Sequence, residues 1–225
     1  MTEQRKSALI LGATGLVGKS CLDALIKSDL YLQVIAVTRR PLTVSHPKLR
    51  NLVVDFDNLE PVAAQFRADD IFCAFGTTIQ RAGSKEAFRK IDHAYPLSIA
   101  ELAVKNGAKQ FILVSAVGAN PMSSVFYLKV KGDLESAVAK LPFSSQLFFR
   151  TAMLDGEREE KRLLEELGIV FSRAIAFLLV GKLRKYRAVK TVDLALAMLV
   201  AASQGLTGVH IFDSGQITQM AAVSN

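Results

Sequence analysis

Short, unbroken apolar runs alternate along the chain with longer stretches in which apolar residues recur every three or four positions. The runs are Ala8–Leu11, Val34–Thr38, Leu52–Val54, Ile71–Ala74, Phe111–Ser115, Leu147–Arg150 and Val209–Phe212. They are too short for helices and lack the polar alternation of a half-exposed strand, so they predict strands buried on both faces. Between the first two, Leu16, Val17, Cys21, Leu22, Leu25 and Ile26 fall on one helical face. Further helices are predicted from about Lys85 to Lys105 and from Ser123 to Lys140, the latter with Ser123 and Ser124 as N-cap candidates. This alternation predicts an α/β fold, a doubly wound parallel sheet with helices on both faces. Ligands of such sheets bind beyond the carboxyl ends of the strands, so the residues there carry the functional argument.

Composition narrows the classes. Half of the 225 residues are apolar and 22% are charged, with no internal repeat or linker, which predicts one ordered domain over 1–225. The net charge of +7 is local: five basic residues and no acid lie in Gly181–Lys190, and the remainder balances to +2. A nucleic-acid partner is therefore not expected, and the basic stretch, interleaved only by Tyr186, reads as a solvated loop. Cys21 and Cys73 stand apart, and His46, His93 and His210 are single, so neither a disulfide framework nor a metal site is indicated. The longest apolar stretches, Ala174–Val180 and Leu194–Ala202, fall short of the ~20 residues of a membrane span. The N-terminal segment lacks a signal-peptide core, and a cytosolic protein is expected.

The first strand runs into G-A-T-G-L-V-G, with Gly12, Gly15 and Gly18 ahead of and inside the first helix. Gly12 permits a tight turn, Gly15 lets backbone approach a pyrophosphate, and Gly18 permits close helix–strand packing, while the helix N-terminus offers N–H groups to phosphates. Gly18-Lys19-Ser20 imitates the end of a P-loop, but the required first glycine would fall at Ala13. The second strand ends in Thr38-Arg39-Arg40, where an acidic residue would select an unphosphorylated ribose. Two guanidinium groups suit a 2′-phosphate instead, which predicts NADP(H). Asp55 and Phe56, after the third strand, are candidates to flank the adenine.

Ser115 ends the fifth apolar run, Tyr127 follows twelve residues later, and Lys131 lies one helical turn beyond on the same face. An unperturbed phenol, with a pKa near 10, is a poor acid or base at neutral pH, and an adjacent ammonium favours its ionised form. A serine hydroxyl could hold a substrate carbonyl oxygen while the tyrosine transfers the proton.

These pieces resemble the short-chain dehydrogenases/reductases, and within them the atypical branch of Tat-interacting-protein-like oxidoreductases and their bacterial relatives. The likeness is carried by G-A-T-G-L-V-G, C-A-F-G-T-T followed by A-G-S-K-E-A-F, V-S-A-V-G-A-N, F-Y-L-K-V-K-G-D-L-E and R-T-A-M-L-D-G-E-R. It implies a Rossmann-type sheet with Gly12, Thr14, Gly15, Leu16 and Val17 on the cofactor phosphates. It puts Arg39 and Arg40 at the 2′-phosphate and Ala74, Phe75 and Gly76 along the ribose. It also implies Ser115, Tyr127 and Lys131 as the catalytic set, Lys131 also bonding the nicotinamide ribose. Arg150 opens a loop beside the nicotinamide where relatives follow the arginine with proline, and this chain has Thr151-Ala152. The implied activity is hydride transfer between NADP(H) and a small carbonyl or alcohol substrate, with about 151–225 completing the pocket. The alternative is an NADPH-binding regulatory or sensor protein with little or no turnover, which senses NADPH or docks a protein partner.

Overall fold

The computed structural model describes residues 5–155 and 188–223. Its centre is a seven-stranded parallel sheet built from β1 (Lys6–Leu11), β2 (Tyr31–Thr38), β3 (Leu49–Val53), β4 (Asp70–Cys73), β5 (Gln110–Ala116), β6 (Ser145–Thr151) and β9 (Gly208–Asp213). The strand order is β3-β2-β1-β4-β5-β6-β9. Each expected apolar run lies on or overlaps one of these strands. A separate two-stranded parallel ladder pairs β7 (Met153–Asp155) with β8 (Ala188–Lys190).

Helices cover both faces, as the continuous apolar strands require. On one side α1 (Leu16–Lys27), α6 (Thr191–Ser203) and α7 (Ser214–Ala222) pack on Ile10, Phe72, Ile112 and Phe149. On the other, α4 (Tyr95–Lys105) and α5 (Phe126–Val138) pack on Leu9, Ile71, Phe111 and Leu113. The apolar stretch 194–202 belongs to α6, with Leu194, Ala197, Met198 and Ala201 fully buried, so it is core. The stretch 174–180 and most of the basic segment lie outside the described residues.

Two predicted helices differ from the observed ones. α5 starts at Phe126 with Val125 at the N-cap. Ser123 is spent earlier, its hydroxyl accepting from Val125 N at 3.1 Å. The helix predicted over 85–105 is broken into α3 (Lys85–Arg89), a π turn at Lys90–Ala94 and α4. Pro96 explains the break: it has no N–H to continue the α pattern, and Tyr95 N bonds Lys90 O five residues back instead. A short helix, α2 (Ile79–Ala82), precedes α3.

Candidate functional site

The strand order reverses between β1 and β4, and the loops leaving their carboxyl ends meet there. Gly12 takes φ +82°, and a Cβ on it would stand 2.5 Å from Ala74 O in the loop after β4. Gly18 is equally constrained, because its Cβ would come within 1.8 Å of Gly12 O. The two loops therefore touch through bare backbone. Gly15 is the N-cap of α1 and supplies no side-chain acceptor, so the first amides of the helix face the crevice without an internal side-chain cap. Thr14 is exposed beside them, Leu16 is half-buried, and Val17 turns into the core.

Arg39 and Arg40 are both exposed at the end of β2. Asp55 is exposed, whereas Phe56 is buried, its ring stacked on Phe75 at 5.1 Å and tilted against Tyr95 at 5.3 Å. The Tyr95 hydroxyl donates to Asp57 Oδ1 at 2.7 Å, and Lys90 pairs with the same carboxylate at 2.7 Å. The loop from Ala74 to Thr77 is thus backed by an aromatic wall.

The π turn aims Asp92 into this loop. Its Oδ2 accepts from Thr77 N at 2.8 Å, and its Oδ1 stands 2.7 Å from Lys131 Nζ. Burial pushes the Lys131 ammonium down, but its surroundings, the Asp92 carboxylate foremost and Tyr127 and Cys73 with it, together hold it above its ordinary value. A Cβ on Gly76 would lie 3.2 Å from Asp92 Oδ1 and 3.5 Å from Lys131 Nζ, so the loop after β4 lies against the ion pair. Tyr127, one turn before Lys131, remains 37% exposed with the ammonium 5.9 Å from its ring centroid. Sequence reasoning missed Asp92, although a proline inside a helical run was a signal that the register breaks there.

Ser115 has a different partner from the one its expected role requires. It is buried, and its hydroxyl donates to Glu135 Oε1 at 2.5 Å. Arg150 closes the other side of that carboxylate, Nε to Oε1 at 3.0 Å and a terminal nitrogen to Oε2 at 2.5 Å. Ser115, expected to hold a substrate oxygen, and Arg150, expected beside the nicotinamide, are joined through Glu135. The physical reason is charge. A buried carboxylate demands both a hydrogen-bond donor and a countercharge, and these two residues provide them.

Burial pushes the free Cys73 and Cys21 thiols up to about 11 and about 12, so neither supplies a thiolate at neutral pH. Among the described residues no cluster of His, Cys, Asp and Glu could hold a metal ion, and no helix is long and apolar enough to cross a membrane.

Comparison with known proteins bears on the fold and the family. The crystal structure of the oxidoreductase ylbE from Lactococcus lactis superposes with a TM-score of 0.65 at 19% identity, covering 96% of this chain and 95% of that one. Protein HTATIP2 from Rattus norvegicus is 40% identical over 163 residues, 71% of this chain and 67% of its own. Protein FMP52-1, mitochondrial, from Scheffersomyces stipitis is 39% identical over 167 residues, 72% of this chain and 74% of its own. The expected cytosolic location is corrected by this comparison: fungal relatives at 31–39% identity are named as mitochondrial proteins. That expectation rested on apolar-run length, which bears on secretion and membrane insertion and does not distinguish cytosol from mitochondrion. The family model for NAD(P)H-binding proteins matches residues 12–140, from the glycine loop through α5, and the chain belongs to that family, with an oxidoreductase-like Rossmann fold.

Proposed function

We propose that the protein is an NADPH-dependent oxidoreductase that moves a hydride between NADP(H) and a small carbonyl or alcohol, with Tyr127 as the acid/base. The observation that carries this reading is the buried Asp92–Lys131 ion pair beneath an accessible Tyr127, lying against a loop that itself touches the glycine turn. The surroundings fit a dinucleotide. The amides at the start of α1 have no side-chain cap, and Gly15, where a Cβ would meet only Gly12 O at 3.2 Å, leaves backbone open to close approach of phosphate oxygens. Thr14, Gly15, Leu16 and Val17 would hold the phosphates, and Arg39 and Arg40 the 2′-phosphate. Ala74, Phe75 and Gly76 would line the ribose, and Asp55 with Phe56 would border the adenine.

The nicotinamide, when bound, supplies or accepts the hydride. The Tyr127 hydroxyl gives its proton to the carbonyl oxygen in reduction and takes it back in oxidation. Lys131 stays charged throughout because Asp92 holds it so, and its ammonium stabilises the phenolate formed when the proton leaves. The Ser115 proton is committed to Glu135, so in this arrangement Ser115 keeps only lone pairs for a neighbouring donor.

The test is a panel of aliphatic and aromatic carbonyls offered to the purified protein, with loss of NADPH absorbance as the readout. Turnover that disappears in Tyr127→Phe supports the proposal. Tight NADPH binding with no turnover, combined with partner binding that follows the NADPH/NADP ratio, replaces it with the sensor reading.

A further inference from the structure

The corner that carries Arg39 and Arg40 is pinned by a side chain from the neighbouring strand. Asn51 lies on β3, in register with Ala36 of β2. Its Nδ2 donates to Ala36 O and to Thr38 Oγ1, both at 2.9 Å, and its Oδ1 accepts from Leu42 N at 2.8 Å. Thr38 Oγ1 in turn donates to Arg40 O at 2.7 Å. The amide orientation is forced, because a backbone carbonyl only accepts and a backbone N–H only donates. Pro41 restricts Arg40 to extended backbone from the other side.

A surface loop bearing two long cationic side chains would ordinarily lose much freedom on binding an anion. Here the backbone before Arg39, the carbonyl of Arg40 and the amide of Leu42 are all held before any ligand arrives. Much of the corner's backbone freedom is therefore lost in advance, which leaves chiefly the side-chain torsions to be ordered.

We propose that Asn51, acting with Thr38, is a specificity-determining positioning residue. It fixes the Arg39–Arg40 corner in the geometry that receives the phosphate on the adenosine ribose, and so sets preference for a 2′-phosphorylated dinucleotide. This rests on the reading of Arg39 and Arg40 as a 2′-phosphate site. Neither Asn51 nor Thr38 need touch the nucleotide. Their effect is on the ratio of two affinities, which a general loss of stability would not alter.

Calorimetric titration of the full chain with NADPH and with NADH tests the proposal, on the unaltered protein, Asn51→Leu, Thr38→Val and Arg39→Ala/Arg40→Ala. The expected result is an unaltered protein that prefers NADPH, and an Asn51→Leu variant whose preference falls by about threefold to tenfold while NADH affinity is unchanged. Thr38→Val, which deletes only the links to Arg40 O and to the amide, should lower the preference in the same direction, and it decides the matter if Asn51→Leu does not fold. Full preference retained in the folded variants, but lost in the double arginine variant, overturns the role of Asn51 and leaves the phosphate site standing. Equal NADPH and NADH affinities in the unaltered protein overturn both.

Discussion

Asp92, in the middle of a π turn, holds Lys131 of α5 through a 2.7 Å ion pair in which both side chains are withdrawn from solvent, 1% and 7% exposed. Two elements that approach the site from different directions are thereby locked together. Removing one partner of a buried pair leaves the other charge uncompensated, which costs about 3–5 kcal/mol. Asp92→Ala is therefore expected to destabilise the protein by that amount in chemical denaturation. The double variant Asp92→Ala/Lys131→Met should recover part of the loss, because no unpaired charge remains.

The same pair sets an alkaline limit. The folded protein holds the Lys131 proton more tightly than the unfolded chain does, whose lysines release theirs near the ordinary 10.5. The stability this contributes is complete below that value and is lost as pH rises from it through the folded-state value. Denaturation midpoints should therefore fall on the alkaline side of pH 10.5, and Lys131→Met should fall less steeply over that range.

Tyr127→Phe tests the chemistry separately from binding. It is expected to lower carbonyl reduction by about 10²-fold or more while NADPH affinity stays the same. Lys131→Ala should impair both if the lysine serves the phenol and the ribose, as proposed. Single-turnover rates and titrations on the two variants distinguish these patterns. A Tyr127→Phe protein with full turnover would remove the tyrosine from the mechanism.

The Ser115–Glu135–Arg150 triplet predicts a different balance. Glu135→Ala strands Arg150, whose side chain is 27% exposed, and orphans the Ser115 hydroxyl, with an expected cost of about 1–3 kcal/mol in stability. Ser115→Ala should cost less turnover than Tyr127→Phe when both are assayed on one substrate. The reverse ranking would return Ser115 to the substrate oxygen.

Gly18→Ala reverses an ordinary expectation. In most helices the change to alanine gains nearly 1 kcal/mol. Here the added methyl would lie 1.8 Å from Gly12 O, a backbone atom that cannot swing aside. The variant should be destabilised by about 1–3 kcal/mol and should bind NADPH more weakly than Thr14→Ala, measured by thermal unfolding with and without the nucleotide.

The sequence by itself determined the sheet, the places of the strands and the face of α1 that packs on it. Unbroken apolar runs such as Phe111–Leu113 can be satisfied only between two layers, and the glycines at 12 and 18 announce backbone contacts that no side chain could share. The i, i+4 spacing likewise set Tyr127 and Lys131 on one helical face, because a single helix determines that relationship locally. What Lys131 and Ser115 bond to was decided elsewhere. Asp92 is 39 residues from Lys131 along the chain, and Glu135 is 20 residues from Ser115, so no local periodicity links them. Their pairing follows from burial. Once α5 and the π turn close over the sheet, each charge must take the nearest opposite partner, and that choice exists only in the packed tertiary structure.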